Sequence, residues 1–514
     1  MSIYLKAKKL DLSTGALQVA VVHSRDAHEH GLTADTVITL GAKDTSFYVM
    51  IDITDTLVEP GEIGLYRDIW ERYKVNNGDM VALIMKHRNR VHEIIRKKVL
   101  GQSLSAGEID KLITALTQHS VKDVMLAYFL ATFFSPGYDE NESLAMVKSI
   151  VAHGHPIDFT QGDARNASPK YIIDKHSIGG LPSKGVTPIL VSILANFENV
   201  VIPNTSTRAI TSAAGTSDVL ETVMNVDIPE EQLIKQIHDI GVFMAWGGGL
   251  DLTPAVYEMI RLEHGLHIES FKKVIISIVA TKKAMGLTHV LIDLPFGPST
   301  KVHHTEDAEQ IAACFKKLFK GVGIEAVVHR RRAIAPDGFG IGPMLEMRDI
   351  LYVLEQDSRR PEHLQHQAVE MAGKLLDLTG ITEKGWGYQE AKRMLRNGQA
   401  LEKFWEIATT QGATKQLRAD ELELGKFQRV LTVADLKLSS AKLGTIKTMD
   451  NKGLIHIAKL LGSPQDKSAG LYLHKYIGDK LDVDDQLLTL YTSDQNRLDL
   501  AMHSEVLHGL FLLE

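Results

Sequence analysis

"YIIDKHSIGG", residues 171–180, places a Lys-His-Ser triplet between an apolar run and a glycine pair. Tyr171-Ile172-Ile173 predicts a short buried strand, and "VTPILVSILANF" (186–197) predicts a buried helix. A strand, a glycine turn and then a helix is an arrangement that binds anions, because free backbone N–H groups at the helix start face the turn.

The same alternation extends outward from this stretch. "NVVIP" (199–203), "VFMAW" (242–246), "THVLIDLP" (288–295) and "EAVVH" (325–329) read as further strands. Helical runs such as "SFKKVIISIVATKKAMG" (270–286) and "TEDAEQIAACFKKLFKGVG" (305–323) lie between them. This is the pattern of a largely parallel or mixed sheet covered by helices. Upstream, 91–154 reads as four helices, with a capping box at Ser105 and Glu108 and closing glycines at Gly101 and Gly154. Residues 1–88 alternate short β-like runs ("LQVAVV", "DTVITL", "FYVMIDIT", "DMVALIM") with turns, and "KHRNR" (86–90) reads as an exposed linker. From about 427 the tail returns to β-like runs around glycines ("GTIKTM", "GLIHIA", "QLLTLYT").

The expected fold is therefore multidomain α/β. A β-rich N-terminal extension (1–88) precedes a helical domain (89–156). An α/β domain with a mixed sheet (157–426) follows, some of whose helices pack with the helical domain, and the chain ends in a small α+β domain (427–514).

The chain has 514 residues, 44% of them hydrophobic and 24% charged, a soluble globular composition. A net charge of −7 and a pI near 6.3 argue against nucleic-acid polymers as partners. The single cysteine, Cys314, reads as a small core residue, and one cysteine suits a reducing compartment. With no apolar leader and no membrane-length apolar run, the expected location is cytoplasmic, away from membranes.

Four stretches gather polar residues at strand ends or helix starts: "DKHSIGG" (174–180), "NTSTRAITSAAGTSD" (204–218), "WGGGLDLTPAVYEMIRLEHGLHIES" (246–270) and "DLPFGPSTKVHHTED" (293–307). The second resembles a surface that wraps a phosphate or sugar with short donors. The three glycines of the third suit a lid or a close backbone approach. No phosphate-binding lysine loop, dinucleotide fingerprint, zinc motif or nucleophile elbow is present. Adjacent His303 and His304 point in different directions on most backbones, so no metal site and no cofactor are expected.

These parts favour a phosphate-like substrate held by hydroxyls, backbone N–H groups and a few cations. Lys175 neutralises the anion, Ser177 donates a hydrogen bond and His176 orients or protonates a second substrate. Phosphorolysis of a glycosidic bond is a reaction that needs only such parts. Its oxocarbenium-like transition state requires relief of charge on the leaving group.

Here the sequence resembles the thymidine (pyrimidine-nucleoside) phosphorylase family, in the long form shared with archaeal AMP phosphorylases. "DKHSIGG", "TSTRAITSAAGTSDVLE", "THVLIDLPFGPSTKV" and "EIIRKKVLGQSLSAGEID" carry the resemblance. It implies a pentosyltransferase with a helical and an α/β domain, an active site in the cleft between them, and a homodimer or larger homo-oligomer. It also implies phosphate ligands at Lys175, Ser177, Ser206 and Thr216, and a substrate-contacting Gly180. Nucleotide-binding positions follow at Thr207, Arg208, Ala209, Ile210, Thr211 and Ser212, with further substrate contacts at Ser277 and Lys301. His176 and Arg261 match base-recognition residues, and Glu269 stands where the long form carries a catalytic aspartate. "LTPAVY" places Val256 where the lid usually has an acid, and Pro188 replaces a serine of shorter members.

Two substrate expectations follow. Thymidine with phosphate, giving thymine and 2-deoxyribose 1-phosphate, is the first. A nucleoside 5′-monophosphate such as AMP, giving base and ribose 1,5-bisphosphate, is the second, with Arg208 and Lys301 placed for the 5′-phosphate. A phosphosugar-binding protein that has lost catalysis is the reading outside enzymes, and the altered lid is its one support.

Overall fold

The computed structural model describes residues 2–14, 18–34, 36–42, 45–84, 91–159, 170–183, 185–209, 212–250, 252–266, 270–438 and 444–514. The chain forms two compact units, Met1–His155 with Leu252–Ala284, and Pro156–Asp251 with Met285–Glu514.

The first unit begins with a closed barrel of β1 (Ser2–Lys9), β2 (Val19–His23), β3 (Thr36–Ala42), β4 (Thr45–Thr54), β5 (Glu62–Leu65) and β6 (Met80–Ile84), in the order β1-β5-β2-β4-β3-β6. β4 shows how its sequence encodes a barrel wall. Phe47, Val49 and Ile51 alternate inward onto Ala20, Val22, Leu40 and Leu83. β6 returns antiparallel to β1 and closes the ring, so no strand edge is left open.

Four helices follow, Val91–Val99, Ala106–Thr117, Asp123–Ala131 and Glu140–Ala152. The capping box forms as expected: Glu108 N donates to Ser105 Oγ (3.3 Å) and Ser105 N to Glu108 Oε2 (2.8 Å). A second box, Asp139 with Glu142, has a further use. Buried Glu142 also accepts from Lys98 Nζ (2.7 and 2.8 Å) and from Leu104 N (2.8 Å), tying the first helix to the fourth. Gly154 is required for close approach, since a Cβ there would lie 2.2 Å from the Leu252 carbonyl oxygen. Helices Pro254–Leu266 and Phe271–Ala284 complete this unit.

The second unit is built on a five-stranded sheet of β7 (Tyr171–Ser177), β8 (Val200–Ser206), β9 (Val242–Trp246), β10 (His289–Phe296) and β11 (Glu325–Arg332), in the order β11-β10-β7-β8-β9. All five are the expected strands, and every neighbouring pair is parallel. Helices Val186–Leu194, Glu362–Thr379 and Gln399–Thr410 cover it through Ile189, Leu190, Leu375, Leu376, Phe404 and Ile407, all fully buried.

A smaller antiparallel sheet contains β12 (Gly340–Ile341), β13 (Phe427–Thr432), β15 (Gly470–Leu473) and β16 (Gln486–Thr492), while β14 (Ile446–Met449) pairs with β17 (Phe511–Leu513). "GLIHIA", expected to be β-like, lies instead in the helix Asn451–Leu461. Leu454, Ile457, Ala458 and Leu461 recur at a helical period, and the Asp450 side chain caps the start through Lys452 N. Among the described residues no helix is long and apolar enough to cross a membrane.

Candidate active site

The sheet opens where its polar residues gather. β7 pairs with β8 only through Tyr171 with Val200 and Ile172 with Val201. Beyond this, β10 follows β7 to Ser177, and β9 follows β8 from Ile202 to Ser206. Pro203 explains how β8 tolerates the parting. Ile202 N donates towards β9 (Gly241 O, 2.9 Å), so the N side of residue 203 faces β7, which has already left. The order also reverses here: the chain proceeds from β7 through β8 to β9 on one side, then crosses to β10 and β11 on the other. Open α/β sheets bind ligands outside the carboxyl ends of their strands at such a switch point.

Lys175 is buried, its Nζ 3.2 Å from Thr187 Oγ1 and 3.6 Å from Asp293 Oδ2. Ser177 Oγ donates to the same carboxylate oxygen at 3.0 Å. Strand alternation sets Lys175 and Ser177 on one face, and Asp174 and His176 on the other. Asp174 Oδ1 accepts from Asn204 Nδ2 (2.6 Å), linking the two parting strands. Burial pushes the Lys175 ammonium below its ordinary pKa, opposed by Asp293. Burial alone would raise the Asp293 carboxyl, but Arg331 and Lys175 overcome it and hold it well below the carboxylate range. Arg331 donates to Asp293 (Nε, 2.9 Å) and, through both terminal nitrogens, to Asp337 (2.6 and 2.7 Å). A buried lysine poised against one carboxylate and backed by a second cation is equipped to receive an anion.

The hydroxyl-rich stretch follows β8. Ser206 Oγ meets Ser217 Oγ at 2.8 Å, and Ser212 Oγ donates to Ala214 O (2.8 Å). Asp218 Oδ2 accepts from Ala209 N (2.6 Å) and Gly215 N (2.9 Å), holding both limbs of the loop. A Cβ on Gly215 would fall 2.2 Å from Thr207 O, so the fold requires glycine there. Thr216 begins the short helix Thr216–Leu220. The Arg208 guanidinium lies 4.3 Å over the Trp246 ring, and its Nε donates to Glu221 (3.1 Å). The glycines after Trp246 serve close approach: a Cβ on Gly248 would meet the indole at 2.3 Å. Gly180, at φ +92°, packs on the Lys301 backbone, which a Cβ would approach to 2.7 Å. His303 and His304 rings are 6.5 Å apart at 72°, and no cluster of metal-ligating residues occurs among the described residues.

Two expected site residues among those described, Arg261 and Ser277, belong to the first unit. Arg261 is held by Asp123 (Nη2 to Oδ1, 2.6 Å) and Glu258 (Nε, 3.4 Å), and Glu258 also lies 3.1 Å from His119 Nδ1. Its guanidinium is thus already doubly paired. Ser277 Oγ is buried and has no hydrogen-bond partner among the described residues, which suits a group that waits for a ligand. Glu269, Ile210 and Thr211 lie outside the described residues.

Sequence reasoning missed Asp293, Arg331, Asn204 and Asp218. A signal existed for Asp293, a lone charge inside the apolar strand "VLIDLPF".

Comparisons with known proteins follow this geometry. The pyrimidine nucleoside phosphorylase C-terminal domain matches residues 445–505, and the helical bundle domain of the glycosyl transferase family matches 92–154. The chain is 31% identical to AMP phosphorylase 1 of Archaeoglobus fulgidus over 97% of its own length and 95% of that protein's. It is 32% identical to the AMP phosphorylases of Methanococcus aeolicus (98% and 96%) and Pyrococcus furiosus (97% and 95%). Anthranilate phosphoribosyltransferase from Thermus thermophilus shares the fold, with a TM-score of 0.51 and 17% identity over 62% of this chain and 98% of that one. The protein is thus an enzyme of the pentosyltransferase class. The chain belongs to the pyrimidine nucleoside phosphorylase family, in the long form shared with archaeal AMP phosphorylases.

Proposed function

We propose that the protein phosphorolyses a nucleoside 5′-monophosphate, AMP being the leading substrate, to free base and ribose 1,5-bisphosphate. One observation carries the substrate: full-length relatives at about the same identity, spanning barrel, helical and C-terminal parts alike, are AMP phosphorylases. Thymidine, the first expectation, has less support, since the relatives named above are AMP phosphorylases.

In this reading Lys175 and Ser177 bind inorganic phosphate with Ser206 and Thr216. A phosphate oxygen attacks C1′ as the C1′–N9 bond breaks, and the departing adenine takes a proton. Gly180 and Lys301 contact the nucleotide, Thr207, Arg208, Ala209 and Ser212 serve its phosphate end, and His176 faces the base. The low-lying Asp293 carboxylate is no proton donor near neutrality. It orients Lys175 and Ser177.

Purified protein with AMP, CMP, UMP, thymidine or uridine should release adenine from AMP, only with phosphate present and equally in EDTA. Thymine from thymidine with AMP untouched would overturn the substrate, and a strict divalent-ion requirement would overturn the metal-free chemistry.

Glu269 stands eight residues before Ser277, the spacing of the long-form catalytic acid, and a carboxylic acid is the kind of group that can protonate a departing base. Glu269→Gln keeps the shape and removes the proton. It should lower kcat for AMP by about 100-fold or more, the scale of general-acid catalysis. An unchanged kcat would remove Glu269 from the mechanism.

A further inference from the structure

Lys467 precedes β15 in a segment far from the nucleotide loop in sequence, yet its side chain closes that loop. Its carbonyl accepts from Met344 N (3.0 Å), which fixes its backbone. Its Nζ donates to Asp218 Oδ1 (3.0 Å) and Glu221 Oε2 (2.9 Å). The other oxygen of each carboxylate is engaged on the loop: Asp218 Oδ2 with Ala209 N and Gly215 N, and Glu221 Oε1 with Arg208. Two carboxylates and two cations thus form one network, in which the Asp218 side chain is only 5% exposed.

The partition of charge is the important point. Asp218 is too buried to go unpaired, since an uncompensated buried charge is costly. Without Lys467, Arg208 would be the cation left bonded to this carboxylate pair and would be drawn further onto it. With Lys467 in place, Arg208 spends Nε and Nη2 on Glu221 Oε1 and lies over the Trp246 ring. Among the described residues no protein acceptor takes its Nη1. A guanidinium held by one edge presents its other edge as a fork for phosphate.

We propose that Lys467 is a positioning residue for nucleotide recognition: it neutralises Asp218 and half of Glu221, so that Arg208 keeps a free edge for the substrate's 5′-phosphate. This rests on the nucleotide phosphorylase reading above and adds a specificity element contributed by the C-terminal segment.

The test is Lys467→Met beside Lys467→Arg. The methionine variant should raise KM for AMP about tenfold and clearly more than KM for inorganic phosphate, for which Lys175 and Ser177 on β7 stay in place. Lys467→Arg should restore most of the AMP KM. An unchanged AMP KM overturns the proposal. So does a uniform loss in both KM values and kcat with a lowered Tm, which is the mark of a merely structural lysine. A second readout needs no activity. Trypsin cleavage after Arg208 should be several-fold slower in Lys467→Met, because the Arg208 side chain is drawn onto Asp218 and Glu221. If the parent fails to cleave AMP, the substrate reading falls while the proteolysis still judges the clasp, and unchanged cleavage at Arg208 overturns it.

Discussion

Lys175→Ala is expected to lower kcat/KM about a thousandfold while the protein stays folded. The ammonium is buried, 3.6 Å from Asp293, at the carboxyl end of β7 where the sheet parts. A charge-assisted contact to phosphate in such a place is worth several kcal/mol, and each ~1.4 kcal/mol is tenfold in rate. Folding survives because Asp293 keeps Arg331, and because alanine removes the cost of burying an ammonium. Steady-state kinetics against phosphate, with a melting curve beside them, decide the matter. A loss below tenfold would mean that Lys175 does not touch the anion.

Asp293→Ala should have the largest effect on stability, about 3–5 kcal/mol at pH 7, because it strands Lys175 and partly strands Arg331 in the interior. The pH dependence identifies the cause. The folded carboxyl sits well below its ordinary value, so its contribution is complete above the unfolded value of about 3.9 and fades as pH falls towards the folded one. Urea unfolding of parent and variant should show their gap narrowing by about 1 kcal/mol between pH 7 and pH 3. A gap that ignores pH would assign the loss to packing instead.

Much of the fold was legible because period and length agree in the elements that carry it. "VLIDLP" and "VVIP" are near-continuous apolar runs, and both are central parallel strands. "GLIHIA" misled because a short apolar run has no decisive period until Leu461 is counted with it. In the site, "DKHS" announced Lys175 and Ser177, but the groups that hold them could not be read locally. Arg331 lies 38 residues from Asp293, and Lys467 lies 249 from Asp218. A charge's partner is set by strand order and loop path, which no local pattern states. Arg261 shows the converse: its family position suggested a base contact, while its immediate partners are Asp123 and Glu258.

The two ends of the chain differ in how far they can be transplanted. The barrel is continuous from Ser2 to Ile84 and closes on itself, so a cut after its last strand leaves every strand with both neighbours. The C-terminal sheet has no such independence. Its edge strand β12 comes from residues 340–341, ahead of four helices, and β13 and β17 also fall outside the matched stretch 445–505. Excised at those limits, β15 would lose β12, β16 would lose β13 and β14 would lose β17. Each bare edge would then be a template for pairing with another chain. What recurs as a module in sequence is, physically, the middle of a sheet, and it can be exchanged between proteins only if its borrowed strands travel with it.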